Sequence, residues 1–346
     1  MLLERAIGGD QMGDKEKKPL VEAKHLKMYF HIRRKGMLHA VDDVSFEIYP
    51  GETLGLVGES GCGKSTIGNV TMRLLKATGG ELLFEGRDVL RARGEESAAL
   101  RRRMQIIFQD PYSSLNPRKT IRKILREAYE VQHMGSSAEI DRKVEALCER
   151  VDMSKELLEC YPHELDGGMR QVVGIARALS LDPALIVCDE PVSSLDVSVQ
   201  AKIINLLMDI QREQGLSYLF ISHDLSVVRH ISNRIAVMYL GQIVETCDTD
   251  TMFESAMHPY SIALLSAVPQ VSVDRKVNRI LLKGDVPSPM DPKPGCRFAP
   301  RCWMAQEKCS AEDPPLKEMT PGHCVACHFA GESRERMKQA KTSSLE

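Results

Sequence analysis

The fold is decided by the stretch Gly58-Glu59-Ser60-Gly61-Cys62-Gly63-Lys64-Ser65-Thr66. An apolar run typical of a buried strand, Thr53 to Val57, precedes it, and a helical pattern follows it. The pattern G-x-x-x-x-G-K-[ST] in this context predicts a phosphate loop, in which backbone N–H groups face phosphate oxygens, Lys64 reaches the β- and γ-phosphates and Ser65 offers a hydroxyl to Mg²⁺. The predicted ligand is ATP or GTP. The flanking strand and helix argue against a glycine-rich turn that binds nothing.

The composition is that of an ordinary soluble globular protein. The 346 residues are 43% hydrophobic and 27% charged, enough for one large domain with appendages or for two domains. A formal charge of -2 shows no basic excess, so nucleic acid is not expected as the main partner. No apolar run approaches the roughly 18 residues of a membrane-spanning helix, and Met1 to Lys18 lacks the apolar core of a secretory signal. We expect the chain to stay in the cytoplasm.

Two later apolar runs end in polar residues that suit phosphate chemistry. Ala184 to Cys188 reads as a buried parallel strand and delivers Asp189 and Glu190 at the sheet edge where α/β proteins bind ligands. Asp189 is predicted to hold Mg²⁺ through its water shell, and Glu190 to polarise the water that attacks the γ-phosphorus. Acidic residues after a strand are common, so the roles assigned to Asp189 and Glu190 depend on the presence of Lys64 and its phosphate loop in the same chain.

Two further side chains follow predicted strands. His223 comes after Tyr218 to Ser222 and is expected to touch the γ-phosphate, although a lone histidine there is more often structural. Gln109 follows Met104 to Phe108 and is expected to reach Mg²⁺ and the attacking water.

An aromatic residue ahead of the phosphate loop is a candidate for the adenine ring. Tyr29 is the first candidate and Phe30 the second, and plain packing within a sheet is the alternative for both.

Paired glycines open a helix at Leu165-Asp166-Gly167-Gly168-Met169-Arg170-Gln171. A helix start of this kind exposes backbone donors to an anion. The alternative is a simple helical N-terminus with Asp166 as its N-cap. The place of this stretch ahead of the Asp189 strand favours the anion-binding interpretation.

The pattern along the chain predicts several regions. Residues 1–18 read as a disordered leader, 19–265 as an α/β ATPase domain with a helical insertion at about 115–170, and 266–330 as a small cysteine-containing domain rich in proline. Residues 331–346 are polar and are predicted to be mobile.

The ordered motifs resemble those of an ABC-transporter ATPase over about residues 20 to 265. The matching stretches are Gly58 to Thr66, Gln109, Leu165 to Gln171, Leu185 to Glu190, Ser193-Ser194-Leu195-Asp196 and His223. Phe108 to Pro117, and Gly284 to Pro289 through Cys327, resemble the dipeptide/oligopeptide importer branch and its DppF/OppF-type subunit. That branch also includes importers of nickel and other solutes. The implied fold is α/β, a P-loop NTPase of the ABC type with a helical insertion.

The resemblance also implies partners. Two ATPase subunits would close head to tail, with each ATP held between the phosphate loop of one and the signature loop, Asp166 to Met169, of the other. Closure would drive two transmembrane permease subunits at the cytoplasmic face of the membrane, with an extracytoplasmic solute-binding protein acting indirectly. Gln109 would link hydrolysis to the permeases, and Ser193 to Asp196 would form the D-loop.

The signature departs from the family pattern at Asp166, where a serine is usual. A carboxylate facing the partner's γ-phosphate would be repelled, by about 4 kcal/mol for like unit charges about 4 Å apart at an effective dielectric near 20. Val172 also stands where an arginine or lysine is common. We therefore expect a heterodimer in which the other ATPase subunit supplies an ordinary signature serine.

Five cysteines crowd between Cys296 and Cys327. Four thiolates suit a [4Fe–4S] cluster or tetrahedral Zn²⁺, and reduced free thiols are the remaining alternative. The resemblance selects Cys296, Cys302, Cys309 and Cys327 and implies iron–sulfur, which leaves Cys324 incidental.

Two other functions compete with the importer subunit. A soluble ABC ATPase acting on nucleic acid or ribosomes usually has two cassettes or a long coiled-coil insertion, whereas this chain has one cassette and a modest insertion. A metal-binding redox module would leave the ATPase motifs unexplained. The resemblance implies an ATP-hydrolysing importer subunit for di- or oligopeptides, with nickel or another small solute as the alternative cargo.

Overall fold

The computed structural model describes residues 18–268, 280–282, 284 and 286–332. The predicted leader up to residue 17, Asp285 and the predicted tail from residue 333 onward lie outside the described residues. Within the described ranges, no helix combines the length and apolar character needed to span a membrane.

The main sheet contains eight strands in the order β11-β12-β10-β9-β3-β8-β7-β6. Its central strands β9, β3, β8, β7 and β6 are parallel, and β10, β12 and β11 continue the sheet antiparallel. β3, β7 and β8 are buried along their whole length, as expected for parallel strands covered on both faces. The strands are β3 (Thr53–Val57), β6 (Met104–Ile107), β7 (Leu185–Asp189), β8 (Ser217–Ser222), β9 (Arg234–Tyr239), β10 (Gln242–Asp248), β11 (Lys317–Thr320) and β12 (His323–Val325).

A second, antiparallel sheet packs beside the first in the order β2-β1-β4-β5. Its strands are β1 (Val21–Ile32), β2 (Gly36–Ile48), β4 (Gly79–Phe84) and β5 (Arg87–Asp88). The apolar residues of β1 and β2 share a core with Leu54 and Leu56 of β3 and with Ile67 after the phosphate loop. This shared core fixes the phosphate loop between the two sheets.

Helices cover the main sheet and form the predicted insertion. Ile124 and Leu125 of α4 and Val144 and Leu147 of α5 are buried in the second core, as the amphipathic pattern predicts. Ser136 and Glu139 form a capping box that starts α5 after the Gly135 break. The helices are α1 (Lys64–Thr71), α2 (Gly94–Arg103), α3 (Pro111–Ser114), α4 (Ile121–Val131), α5 (Ser137–Arg150), α6 (Gly167–Leu179), α7 (Val197–Gln214), α8 (Leu225–Ile231), α9 (Thr249–Ser255), α10 (Pro259–Ser266) and α11 (Glu307–Ala311).

The C-terminal part, residues 286–332, is built onto the ATPase core. β12 pairs with β10 through Glu245↔Val325 and Thr246↔Cys324. The buried Glu245 carboxylate also meets the His323 ring nitrogen Nε2 at 2.7 Å. The predicted boundary near residue 265 stays a prediction.

Candidate functional site

The phosphate loop has a backbone that requires glycine at two positions. Gly63 has φ +110°, and a Cβ placed there would lie 2.0 Å from the carbonyl oxygen of Ala40. A Cβ on Gly58 would lie 2.2 Å from the carbonyl oxygen of Met238. Because real Cβ atoms do not approach so closely, only glycine allows the loop to sit against β2 and β9.

Lys64 is buried at the start of α1 and points back along the loop. Its Nζ donates to the carbonyl oxygens of Gly58 at 2.9 Å and Glu59 at 3.1 Å. The ammonium group is therefore enclosed by the loop that precedes it, at the positive end of the α1 dipole, and the site is suited to an anion.

Ser65 and Asp189 meet at the end of β7. Ser65 Oγ donates to Asp189 Oδ1 at 2.8 Å. Burial raises the pKa of Asp189, and the Ser65 hydrogen bond partly offsets this effect. A hydroxyl beside one carboxylate matches the protein contribution to a Mg²⁺ ion that takes its other ligands from water and phosphate.

Two of the predicted catalytic side chains, those of Gln109 and His223, contact the carboxylate of the third, Glu190. Gln109 Nε2 donates to Glu190 Oε2 at 3.1 Å, and His223 Nδ1 lies 3.1 Å from the same oxygen. Glu190 has φ +45°, a left-handed conformation that is uncommon outside glycine and is often found at functional sites. Side chains that follow the ends of β6, β7 and β8 thus converge at the Glu190 carboxylate.

One cleft of about 450 Å³ joins these groups. Its walls include the phosphate loop from Ser60 to Thr66, together with Gln109, Glu190 and His223. The aromatic side of the cleft is formed by Phe30 and His39, and Tyr29 is not among the lining residues. Tyr29 instead stacks on the His39 ring, with centroids 4.1 Å apart, and donates its hydroxyl to Asp42. His39 and Phe30, and not Tyr29, therefore line the cleft, and the choice of an adenine-stacking residue stays a prediction.

The predicted signature loop, Asp166 to Met169, begins α6 on the molecular surface. Asp166 is exposed and acts as the N-cap, since its Oδ1 accepts from the Met169 backbone N–H at 2.7 Å. Gly168 packs against α7, because a Cβ there would lie 2.6 Å from Val199 Cγ1. The predicted D-loop runs beside it: a Cβ on Gly167 would be in ordinary contact with Leu195, 3.4 Å away. This predicted loop, Ser193-Ser194-Leu195-Asp196, ends at the start of α7.

The sequence interpretation missed residues that hold the phosphate loop from the C-terminal side. Arg301 makes two hydrogen bonds to the Glu59 carboxylate, and the Tyr260 hydroxyl accepts the Glu59 backbone N–H. Both partners lie more than two hundred residues beyond Glu59, with separations of 242 and 201. No local pattern marks such contacts.

The four cysteines selected from the sequence line one small cavity with Phe298 and His258. Burial and the neighbouring thiols raise the pKa of Cys302 to about 12. Backbone N–H groups donate to Cys302 Sγ and Cys327 Sγ, each at 3.4 Å. Over the described residues, no group of three or more His, Cys, Asp or Glu side chains is arranged to hold a metal ion. The four cysteines are Cys296, Cys302, Cys309 and Cys327.

The fold and the cleft together define a nucleoside triphosphatase with a phosphate loop. Residues 41–193 match the ABC transporter family, and residues 244–309 match the C-terminal region of oligopeptide/dipeptide transporters.

Relatives and solved structures agree with this class. The putative oligopeptide transport ATP-binding protein YkfD of Bacillus subtilis is 48% identical over 92% of this chain and 99% of its own length. The dipeptide transport ATP-binding protein DppF of Haemophilus influenzae is 47% identical over 90% and 97%. The ATP-binding cassette MJ0796, solved as a dimer bound to ADP and Pi, superposes with a TM-score of 0.61 at 26% identity over 66% of this chain and 98% of that chain. The chain belongs to the ABC transporter ATP-binding proteins, in their oligopeptide/dipeptide branch.

Proposed function

We propose that this ABC ATPase couples ATP hydrolysis to the uptake of di- or oligopeptides across the cytoplasmic membrane, with the cleft at Lys64 and Glu190 as its ATP site. The observation that carries the proposal is the meeting of three strand ends at Glu190, beside a phosphate loop whose lysine faces the same cleft. The relatives named as oligopeptide and dipeptide transport proteins support the choice of solute.

The residues of the cleft divide the work of hydrolysis. Lys64 and the loop N–H groups bind the phosphates, and Ser65 and Asp189 would hold Mg²⁺, which would supply charge neutralisation. Glu190 orients the attacking water and accepts its proton, since it lies at the point where Gln109 and His223 converge. His223 and Gln109 fix the Glu190 carboxylate and face the γ-phosphate from the neighbouring strand ends.

Substitutions that separate binding from turnover test these roles. Lys64→Ala should weaken ATP binding, whereas Glu190→Gln should keep binding and lose turnover in the assembled transporter. Glu213→Gln, an exposed substitution near the end of α7, is the control for loss of one carboxylate. Wild-type hydrolysis by Glu190→Gln, with the partner's site inactivated, would remove Glu190 from the catalytic role.

The proposed assembly places this chain at the cytoplasmic face of the membrane, with two permease subunits and, indirectly, an extracytoplasmic solute-binding protein. The exposed apolar side chains Phe108 and Val131 lie beside the helical insertion and support contact with another protein there. Co-purification with permeases after gentle solubilisation, and ATP-dependent uptake of labelled peptides by the reconstituted complex, test this proposal. Uptake of another solute in place of peptides would change the assigned substrate.

We propose that the second ATPase subunit is a different chain. The support is Asp166, an exposed carboxylate at the start of the helix that would face the partner's ATP. Removing the catalytic glutamate of each subunit in turn tests the asymmetry: Glu190→Gln should abolish most hydrolysis, and the matching change in the partner should matter much less. Equal losses, or an active homodimer of this chain, would contradict it.

We also propose that Cys296, Cys302, Cys309 and Cys327 hold a [4Fe–4S] cluster, with Zn²⁺ as the alternative occupant. Support comes from the four thiols that share the lining of one cavity with apolar and histidine side chains, and from the N–H groups directed at two of the sulfurs, a feature of cluster environments. Because the described side chains are not arranged around an ion, we assign no step of ATP hydrolysis to this group. Anaerobic purification should yield iron and sulfide, both lost in Cys302→Ser and retained in Cys324→Ser. Stoichiometric zinc without iron would favour the alternative.

A further inference from the structure

Glu59, the second residue of the phosphate loop, uses all of its polar groups. Its backbone N–H donates to the Tyr260 hydroxyl at 2.8 Å, and its carbonyl oxygen accepts from Lys64 Nζ at 3.1 Å. Its carboxylate accepts two hydrogen bonds from Arg301, at 2.7 Å and 3.1 Å. Glu59 therefore links the phosphate-binding lysine directly to the C-terminal part of the chain.

Arg301 is held in place for this contact. Its side chain is 8% exposed, against 28% for Glu59. It ends the short 3₁₀ helix Ala299–Arg301, and its guanidinium lies beside the ring of Tyr239, whose centroid is 6.0 Å away. Tyr239, Tyr260 and Phe298 form one aromatic cluster beneath it, with centroids 4.7 to 5.5 Å apart. The guanidinium of Arg301 and the carboxylate of Glu59, joined by two hydrogen bonds beside this aromatic cluster, have a defined geometry, unlike a mobile surface ion pair.

The same segment also reaches the opposite side of the cleft. The carbonyl oxygen of Pro289 accepts from the His39 backbone N–H at 3.1 Å, and Pro289 itself lines the cleft. Arg297 pairs with Asp42, the residue that receives the Tyr29 hydroxyl. Residues 289–301 thus line the cleft at Pro289 and contact the phosphate loop at Glu59.

We propose that Arg301 is a positioning residue for ATP binding, acting through Glu59, so that the C-terminal segment sets the affinity of the phosphate loop. The inference rests on the proposed ATP site. The main effect is that the pair neutralises a carboxylate that belongs to a loop for anionic phosphates, and the smaller effect is that it fixes the backbone that carries the Lys64 contact. Without Arg301, the Glu59 charge would oppose the triphosphate.

The test is ATP binding by the full chain, measured by calorimetry with MgATP. Arg301→Gln should raise the dissociation constant about tenfold, the loss expected when a hydrogen bond to a charged group is removed. The double substitution Glu59→Gln with Arg301→Gln should recover most of the affinity, because the unpaired charge is then gone. Arg103→Gln is the matched control: Arg103 makes a comparable two-bond pair with Glu85, at 2.9 Å and 2.8 Å, away from the cleft.

The outcomes separate this inference from the ATP site itself. Unchanged affinity in Arg301→Gln would overturn it, and so would a double variant that binds as weakly as Arg301→Gln, since a purely structural role predicts no recovery. A melting temperature measured for each variant identifies loss of folding, and Arg301→Lys, which keeps the charge, should then show an intermediate affinity. If the wild-type chain bound ATP with the same affinity as Lys64→Ala, the proposed site would fail independently of Arg301.

Discussion

Replacing Asp166 with asparagine should accelerate hydrolysis at the partner's ATP site. The carboxylate lies at the start of α6, where the partner's γ-phosphate is proposed to bind, and one of its oxygens caps the helix at 2.7 Å from the Met169 nitrogen. Asparagine is an equally good N-cap, so the substitution removes the charge and keeps the helix start.

The expected size follows from the charge and its surroundings. Two like unit charges about 4 Å apart repel by about 4 kcal/mol at an effective dielectric near 20. The helix dipole offsets about 0.3–1 kcal/mol of this at the N-terminus, and salt screens an exposed carboxylate further. A remaining repulsion of about 2 kcal/mol corresponds to a rate change of about 30-fold.

The assay is single-turnover hydrolysis by the assembled transporter carrying Glu190→Gln, so that the remaining activity belongs to the partner's site. Asp166→Asn and Asp166→Ser should both raise the rate, and the gain should shrink as ionic strength increases. Asp166→Ala should show the same gain with a stability loss of about 1 kcal/mol, because alanine cannot cap. Equal rates for aspartate and asparagine at low salt would refute the argument that the charge impairs this site.

Three further predictions concern packing, pH and metal dependence. Gly168→Ala should destabilise the chain by about 1–3 kcal/mol through overlap with Val199, which should lower the melting temperature. Gly174→Ala in the same helix meets open space and should leave the melting temperature unchanged. Equal melting temperatures for the two variants would contradict this prediction. Burial lowers the pKa of His258 to about 4, so the unfolded chain binds more protons than the folded chain between about pH 6.5 and 4. The stability of the fold should therefore fall as the pH falls through this window, and it should fall less steeply in His258→Asn. Parallel profiles of stability against pH for the two proteins would exclude His258 as the cause. Ser65→Ala should raise the Mg²⁺ concentration needed for half-maximal hydrolysis, and an unchanged Mg²⁺ titration would remove Ser65 from the metal site.

Local patterns were sufficient for much of the ATPase core. The alternation of buried strands with polar residues at their ends predicted β7 and β8, and the structure brings Glu190 and His223 together with Gln109 from β6. Such convergence is predictable because parallel strands end at the same edge of a sheet. The glycine pattern of the phosphate loop has a similarly local cause, the close approach of Gly63 to the Ala40 carbonyl.

Contacts between distant parts of the chain were not predictable in the same way. Tyr29 was the first aromatic candidate for the nucleotide, but it does not line the cleft: in the pairing of β1 with β2 it lies opposite His39, and the two rings stack. Arg301 gave no signal at all, because its role depends on the three-dimensional path that returns the C-terminal segment to Glu59. The two C-terminal strands are only four and three residues long, too short for a period of two to stand out.

The pairing of β12 with β10 has a consequence for the solubility of shortened versions of this protein. If residues 286–332 were removed, β10 would become an outer strand with unpaired N–H and C=O groups, and Glu245 would lose the His323 ring that now contacts it. An exposed strand of this kind recruits strands from other molecules, which leads to aggregation. In the intact chain the outermost strand at this edge of the main sheet is β11, which is short, fully exposed and includes Lys317 and Glu318, and such charged side chains discourage edge-to-edge pairing.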